Sequence, residues 1–423
     1  MAWLRSAPAI AALRAQLENT RIGNRSLLWY LTGWRLGLLF LVLAIVLPFF
    51  LATDLVATAI SIFIYAMLAL GLNIVVGYAG LLDLGYVAFF VIGSYTVAVG
   101  TNGFIQNSQA QLVQVPIYPF WILLPLAAVL AGAFGVLLGA PTLRLRGDYL
   151  AIVTLGFGEI IPDVFRNLPF FFGALGISAS PPADIPAPLI GPITFSDPLN
   201  DTPFYFLALI LLVLVILAVT ALRDSSLGRA WIAIREDETA AAAAGVNLVR
   251  TKLLAFGMGA VVGGIGGALN AAYVNTIAPG DFNFNISITI LIMIVLGGIG
   301  SIPGVILGAV LLRFFDVYLL GTVSTNLQGI PAVASFLAGH DINTAKFLIY
   351  GLILIIMILL RPQGLIPDRR RSRELKGIGA APEDTSAVGL LALEEAGMAS
   401  PGESVADETT FAGAGSDAQG REG

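Results

Sequence analysis

Asp83 and Glu159 stand in otherwise apolar stretches of the chain, and so do Asn73, Tyr78 and Asn270. A carboxylate or amide surrounded by hydrocarbon costs free energy unless it bonds another helix or faces water. Groups of this kind therefore line polar paths, relay protons or tie helices together. Asp83 lies in Val-Gly-Tyr-Ala-Gly-Leu-Leu-Asp-Leu-Gly. It reads first as a cap for a helix beginning near Leu84, because a carboxylate there accepts backbone N–H bonds and suits the helix dipole. Glu159 reads either as a path-lining group or as a partner for Arg166. Asn270 reads as an interhelical hydrogen-bonding group ahead of a wet-path residue, and Asn73 and Tyr78 are further polar candidates. Covalent and metal chemistry find no support, since there is no cysteine, His340 is the single histidine, and neither a Ser/His pair nor paired intramembrane aspartates occur. The lysines are Lys252, Lys346 and Lys376, and none stands in a phosphate-binding glycine loop. The chain carries no such motif for hydrolysing ATP, so no catalytic residue, metal or cofactor is assigned to it.

The second chemical region is the polar stretch Arg223–Lys252. Within it Glu236–Val246, Glu-Asp-Glu-Thr-Ala-Ala-Ala-Ala-Ala-Gly-Val, has high helix propensity. Its acids stand at the N-terminal end and Gly245 is placed as the C-cap. Arg235, Glu236, Asp237, Glu238, Ala240, Ala241 and Gly245 thus read as a short docking helix whose alanine surface fits a groove in another protein. A merely solvated loop is the alternative.

What must position these groups is a membrane bundle. Of 423 residues 57% are hydrophobic and only 12% charged, with a mean hydropathy of +0.89, more apolar surface than a soluble core can hide. The net charge of −5 conceals a strong asymmetry, because many of the acids fall in the tail after Lys376. A span-length criterion places about ten helices, several of them short, at Leu36–Ala52, Leu55–Val76, Leu84–Val99, Pro119–Ala140, Asp148–Ile161, Pro203–Leu222, Leu253–Val274, Ile286–Leu296, Ile302–Leu320 and Phe347–Leu360. Asp148–Ile161, with Gly156, Gly158 and Glu159, reads as a broken or tilted helix. Gly77–Gly85 and Leu296–Gly304 read as two further irregular places. Gly259, Gly263 and Gly267, four residues apart, put three bare patches on one helix face for close packing.

Arginine and lysine test the topology. Arg144 and Arg146, the Arg223–Lys252 loop, and Arg361 with Arg369–Arg373 all fall inside if the chain starts inside. Residues 1–35 then form a cytoplasmic extension, read as uncleaved, 36–367 the membrane domain with its cytoplasmic loop at 223–252, and 368–423 a basic then acidic, disordered tail. Both termini are expected in the cytoplasm of a bacterial cell, with the chain in its plasma (inner) membrane.

Leu70–Gly85, Pro141–Glu159, Gly228–Phe256, Leu296–Gly308 and Arg361–Pro367, five ordered blocks, resemble the branched-chain amino acid ABC importer permease family, its LivM-type subunit. The resemblance implies an all-α, ABC importer permease-like bundle that forms a translocation path for branched-chain or related hydrophobic amino acids. It implies that Glu236–Gly245 matches the segment that docks on the ATPase. It also implies as partners a second, LivH-type permease subunit, two ATPase subunits that hold ATP and Mg, and an extracytoplasmic solute-binding protein. The chain departs from the family at Phe171-Phe172-Gly173-Ala174-Leu175-Gly176-Ile177, which lacks the small polar residues often found there. Urea or short amides therefore remain as alternative cargo, and an ion-coupled secondary carrier using Asp83 or Glu159 as the alternative mechanism. No role for nucleic acid is implied.

Overall fold

The computed structural model describes residues 21–22, 25–26, 34–106, 112–142, 148–168, 176–184, 194–195, 197, 200–319, 350–357, 359, 361 and 364–366. The chain divides into Met1–Asp368 and Arg369–Gly423, and the second unit lies outside the described residues. So do most of the N-terminal extension and the departing segment 171–175.

Helices dominate: α1 (Trp34–Val46), α2 (Thr53–Asn73), α3 (Val87–Asn102), α4 (Phe120–Thr142), α5 (Asp148–Asn167), α6 (Thr202–Asp224), α7 (Ser226–Glu236), α8 (Glu238–Ala243), α9 (Leu248–Val274), α10 (Phe284–Gly297) and α11 (Ile302–Phe314). Three short antiparallel ladders accompany them, Arg21–Ile22 with Arg25–Ser26, Phe104–Gln106 with Leu112–Gln114, and Ile177–Ser178 with Thr276–Ile277. Among the described residues five helices are long and apolar enough to cross a bilayer, namely Thr53–Tyr78, Phe120–Thr142, Thr202–Asp224, Leu248–Val274 and Pro279–Gly297. The expected span at Phe347–Leu360 is described as helix over residues 350–357 and at 359.

The ends of these helices follow their sequences. Asn247 caps α9, its Oδ1 accepting from the Arg250 N–H at 3.1 Å, and Ser301 caps α11 by accepting from Gly304. Pro203 and Pro303 stand in the first turns of α6 and α11, where a missing N–H costs nothing.

Of the two readings of the stretch from Asp148, the broken one fails: the helix is continuous and reaches Asn167, with Pro162 inside it. Gly158 packs directly on Gly85, where an added Cβ would lie 2.9 Å from the Gly85 Cα, so that glycine serves a close crossing and not a break.

The bundle is organised around α9, which is wedged between α4 on one side and α2 with α3 on the other. The predicted glycine face makes the second contact. A Cβ on Gly259 would meet Val75 and the Gly71 carbonyl, one on Gly263 would meet Phe89, and one on Gly267 would lie 2.2 Å from the Phe90 carbonyl oxygen. The opposite face, unread in the sequence, uses Gly257 and Gly264 against Val136, Ala127 and Ala131 of α4. Backbones approach this closely only where side chains are absent, and in lipid such packing replaces the hydrophobic drive that water supplies elsewhere. Two hydrogen bonds lock the crossing to α3: the Tyr86 hydroxyl donates to the Gly259 carbonyl at 2.9 Å, and Ser94 Oγ donates to the Gly267 carbonyl at 3.0 Å.

The chain reverses direction from span to span. The end of α2, the start of α3, the end of α10, the start of α11 and the loop α7–α8 all meet at one end of the bundle. The ladders of Phe104–Gln106 and Ile177–Ser178 and the start of α6 occupy the other, where Asp201 lies beside Tyr273 near the close of α9.

Candidate functional site

The loop predicted to dock comprises two helices, not one. Its single predicted helix over Glu236–Gly245 is interrupted at Asp237, whose backbone is extended (φ −154°, ψ 112°). Asp237 ends α7 and starts α8, with its Oδ1 accepting from the Thr239 N–H at 2.7 Å and the Ala240 N–H at 3.0 Å. These N–H donors, Ala240 foremost and then Thr239, hold its carboxyl below the ordinary 3.8. At the far end Gly245 takes φ +86°, its N–H bonding the Ala242 carbonyl while Val246 bonds that of Ala241. That pair of bonds is the Schellman arrangement, and it bears out the reading of Gly245 as the stop.

Two charges in the loop face inward. Glu238 Oε1 lies 2.5 Å from Lys252 Nζ, and the Lys252 side chain is only 8% exposed. The Trp231 indole N–H donates to the Thr251 carbonyl at 2.7 Å, a second tie from the loop to the start of α9. Arg235 likewise turns into the bundle: its Nη1 donates to the Gly77 carbonyl. Glu236, Asp237, Thr239, Ala240 and Ala242–Gly245 are left exposed, while Ala241 is buried.

Both predicted irregular places lie beside Arg235. α2 passes into a π-helical turn, Ile74–Tyr78, and the chain then runs without helix through Ala79–Gly85. α10 ends at Gly297, and Gly298 (φ +124°) and Gly300 (φ +86°) turn the chain into α11. Asn73 joins the two breaks, its Oδ1 accepting from the Gly300 N–H at 2.9 Å. Residues 364–366 close the same end, with Leu365 and Ile366 donating to the Leu296 and Gly297 carbonyls, each at 2.9 Å.

Asp83 does cap, though not as expected. Its Oδ1 accepts from the Gly85 N–H at 2.9 Å, an Asx turn two residues on, whereas α3 begins only at Val87 behind Tyr86. Asp83 is 2% exposed, its Oδ2 has no hydrogen-bond partner, and it borders a gap of ≈ 10 Å³ beside Thr154 and Phe157. An amino acid does not fit there. Tyr78 is buried, Asn270 half-buried and Glu159 exposed on the chain's surface. Arg166 does not pair with Glu159 but with Asp163, at 3.2 Å. The structure therefore brings Asn73, Arg235 and the Gly77 break together but does not gather Asp83, Glu159 and Asn270 into one site.

A further polar cluster went unread. Arg313 Nη1 lies 2.5 Å from Asp316 Oδ2, Arg313 Nε donates to Ser61 Oγ at 3.0 Å, and its guanidinium stacks 4.0 Å from the Tyr65 ring centroid. The Tyr350 hydroxyl lies beside Asp316. An arginine and an aspartate three residues apart inside an apolar span were the available signal.

Comparison with known proteins agrees with this architecture. The family model described as "Branched-chain amino acid transport system / permease component" matches residues 55–358. The high-affinity branched-chain amino acid transport system permease protein LivM of Escherichia coli K12 is 39% identical over 362 residues, covering 81% of this chain and 76% of the relative. The probable LivM of Methanocaldococcus jannaschii is 27% identical, covering 72% and 91%. LivH of Escherichia coli K12, a permease protein of the same system, is 24% identical, covering 71% and 91%. No solved structure gives a significant match. With its apolar helices and this match over most of its length, the chain is a multi-pass membrane protein and belongs to the permease-component family of branched-chain amino acid transport systems.

Proposed function

We propose that the chain is one permease subunit of an ATP-driven importer for branched-chain amino acids, and that α7–α8 is where a separate ATPase grips it. The observation that carries this reading is the division of the loop's two faces. Its charged side chains Arg235 and Glu238 are turned to the bundle, and an alanine-rich surface edged by Glu236 and Asp237 is turned out. A surface of small side chains on a doubly anchored pair of helices suits a groove in a partner that pushes and pulls. The gap beside Asp83 is far too small for cargo. The likeness to LivH, a permease protein named as part of a branched-chain amino acid transport system, supports a path completed against a second, LivH-type permease subunit, with two ATPases carrying ATP and Mg and an extracytoplasmic binding protein delivering the solute. The chain sits in the bacterial inner membrane with α7–α8 in the cytoplasm.

Reconstitution tests this directly. Vesicles holding the two permease subunits and the ATPases, supplied with binding protein, are expected to accumulate L-leucine only with ATP inside reach of the ATPases. Leucine uptake by the purified chain alone, driven by an ion gradient without nucleotide, would replace the reading with a secondary carrier.

A further inference from the structure

We propose that Arg235 is the positioning residue through which movement of α7–α8 reaches the two helix breaks, so that the docking loop works the bundle through one side chain. The inference rests on the reading of α7–α8 as the ATPase-docking loop and adds the route by which its motion travels inward.

Three contacts define that route. The guanidinium of Arg235 donates to the carbonyl of Gly77, inside the π-helical turn that ends the first broken helix. The Leu81 N–H, which an α-helix would direct to that carbonyl, bonds Val75 instead, so the arginine supplies a donor where the helix does not. The stem of Arg235 lies against Gly80, where φ is +71° and an added Cβ would sit 2.7 Å from Arg235 Cγ. Its Nη1 also borders Gly300 of the second break, 3.5 Å from where a Cβ would be.

The two breaks are themselves joined. A Cβ on Gly77 would lie 2.1 Å from Asn73 Oδ1 and 2.9 Å from the Gly300 nitrogen, and that nitrogen donates to Asn73 Oδ1. A displacement imposed at Gly77 is therefore felt at Gly300, and through it at the start of α11. Both segments are suited to yield. A π turn carries one residue more than the α-helical repeat and can shift its bonding by a residue, and glycines at positive φ turn where other residues strain.

Two other side-chain ties of the loop, Glu238 to Lys252 and Trp231 to the Thr251 carbonyl, run to the first two turns of α9. The loop is thus hinged on α9 and reaches the breaks through Arg235. This is the arrangement of a lever with one working arm.

The test uses the complete transporter in vesicles and reads leucine taken up per ATP hydrolysed. Arg235→Ala is expected to leave the ATPases bound and hydrolysing while that ratio falls at least tenfold, and Arg235→Lys to recover part of it, since an ammonium reaches one carbonyl without the second arm. Hydrogen exchange supplies a readout that a merely structural role would not move. In the wild type a nucleotide analogue is expected to change exchange both in α7–α8 and at residues 74–80 and 297–301, and in Arg235→Ala in α7–α8 alone. An unchanged ratio in Arg235→Ala would overturn the proposal. Loss of the ATPases from an intact permease pair would also overturn it, assigning Arg235 to the docking surface. Should Arg235→Ala not accumulate, Arg235→Lys is judged by the same ratio. A wild-type complex that shows no nucleotide-driven uptake removes the importer reading and this proposal with it, whereas a coupled wild type beside an equally coupled variant removes this proposal alone.

Discussion

Arg313 and Asp316 place opposite charges among apolar neighbours, and their side chains are only 19% and 11% exposed. Two charges taken out of water regain little from each other unless their remaining hydrogen-bonding groups are also met. Here Ser61 and the face of Tyr65 meet the arginine and Tyr350 lies beside the aspartate, so the cluster ties α2 to α11 and sits against the helical residues 350–357. Removing one partner strands the other. Arg313→Leu is expected to destabilise the chain by about 3 kcal/mol, whereas the double change with Asp316→Leu recovers a large part of that loss. Unfolding in mixed detergent micelles measures both, and a double variant as unstable as the single one would show that the ion pair is not what the site depends on.

At the scale of helices, the glycines of α9 and α5 make opposite forecasts from the same residue type. Gly267→Ala would press a methyl group to 2.2 Å from the Phe90 carbonyl, and it is expected to cost about 1–3 kcal/mol as α3 and α9 are forced apart. Gly156 has nothing within 4 Å of its would-be Cβ, and Gly156→Ala is expected to gain about 0.5–1 kcal/mol from helix propensity alone. The two thermal shifts, measured side by side in one detergent, should have opposite signs. For α8 the forecast concerns pH. The Asp237 carboxyl is held below 3.8 in the folded loop, so its contribution is present above 3.8 and is lost as pH falls through the lower folded value. Amide exchange over residues 238–243 should accelerate in that acid window. Asp237→Asn, which caps equally well without titrating, should abolish the pH dependence, and Asp237→Ala should leave the helix frayed at every pH. These helices also mark the limit of what the residues alone reveal. Apolar runs placed α4 and α6 within about two residues, because lipid-length stretches are unambiguous. α5 reads as broken or tilted because Gly156 and Gly158 weaken a helix locally, whereas what Gly158 serves, the crossing with Gly85, is a contact between distant residues. The direction of Arg235 was hidden for the same reason, its acceptor lying 158 residues away.

At the scale of the whole molecule, the alternation of spans fixes which segments share a side, and charge says which side that is. Arg223, Arg229, Arg235, Arg250, Lys252 and Arg361 gather at the α7–α8 end. The described segments that close the other end, 103–106, 112–119, 176–184, 200–201 and 275–283, contain no lysine or arginine, and Arg166 in the last turn of α5 is paired with Asp163. Positive segments stay in the cytoplasm, so the α7–α8 end is expected inside. The absence of cysteine makes the test clean, since any thiol is an introduced one. Gly280 is exposed with open space around its would-be Cβ, and Arg250 is exposed at the opposite end. In spheroplasts expressing the chain without its ATPases, a membrane-impermeant maleimide should label Gly280→Cys from outside and reach Arg250→Cys only after lysis. The inverse pattern would place the alanine-rich loop where there is no ATP and no ATPase, and the docking reading would then have no partner to dock.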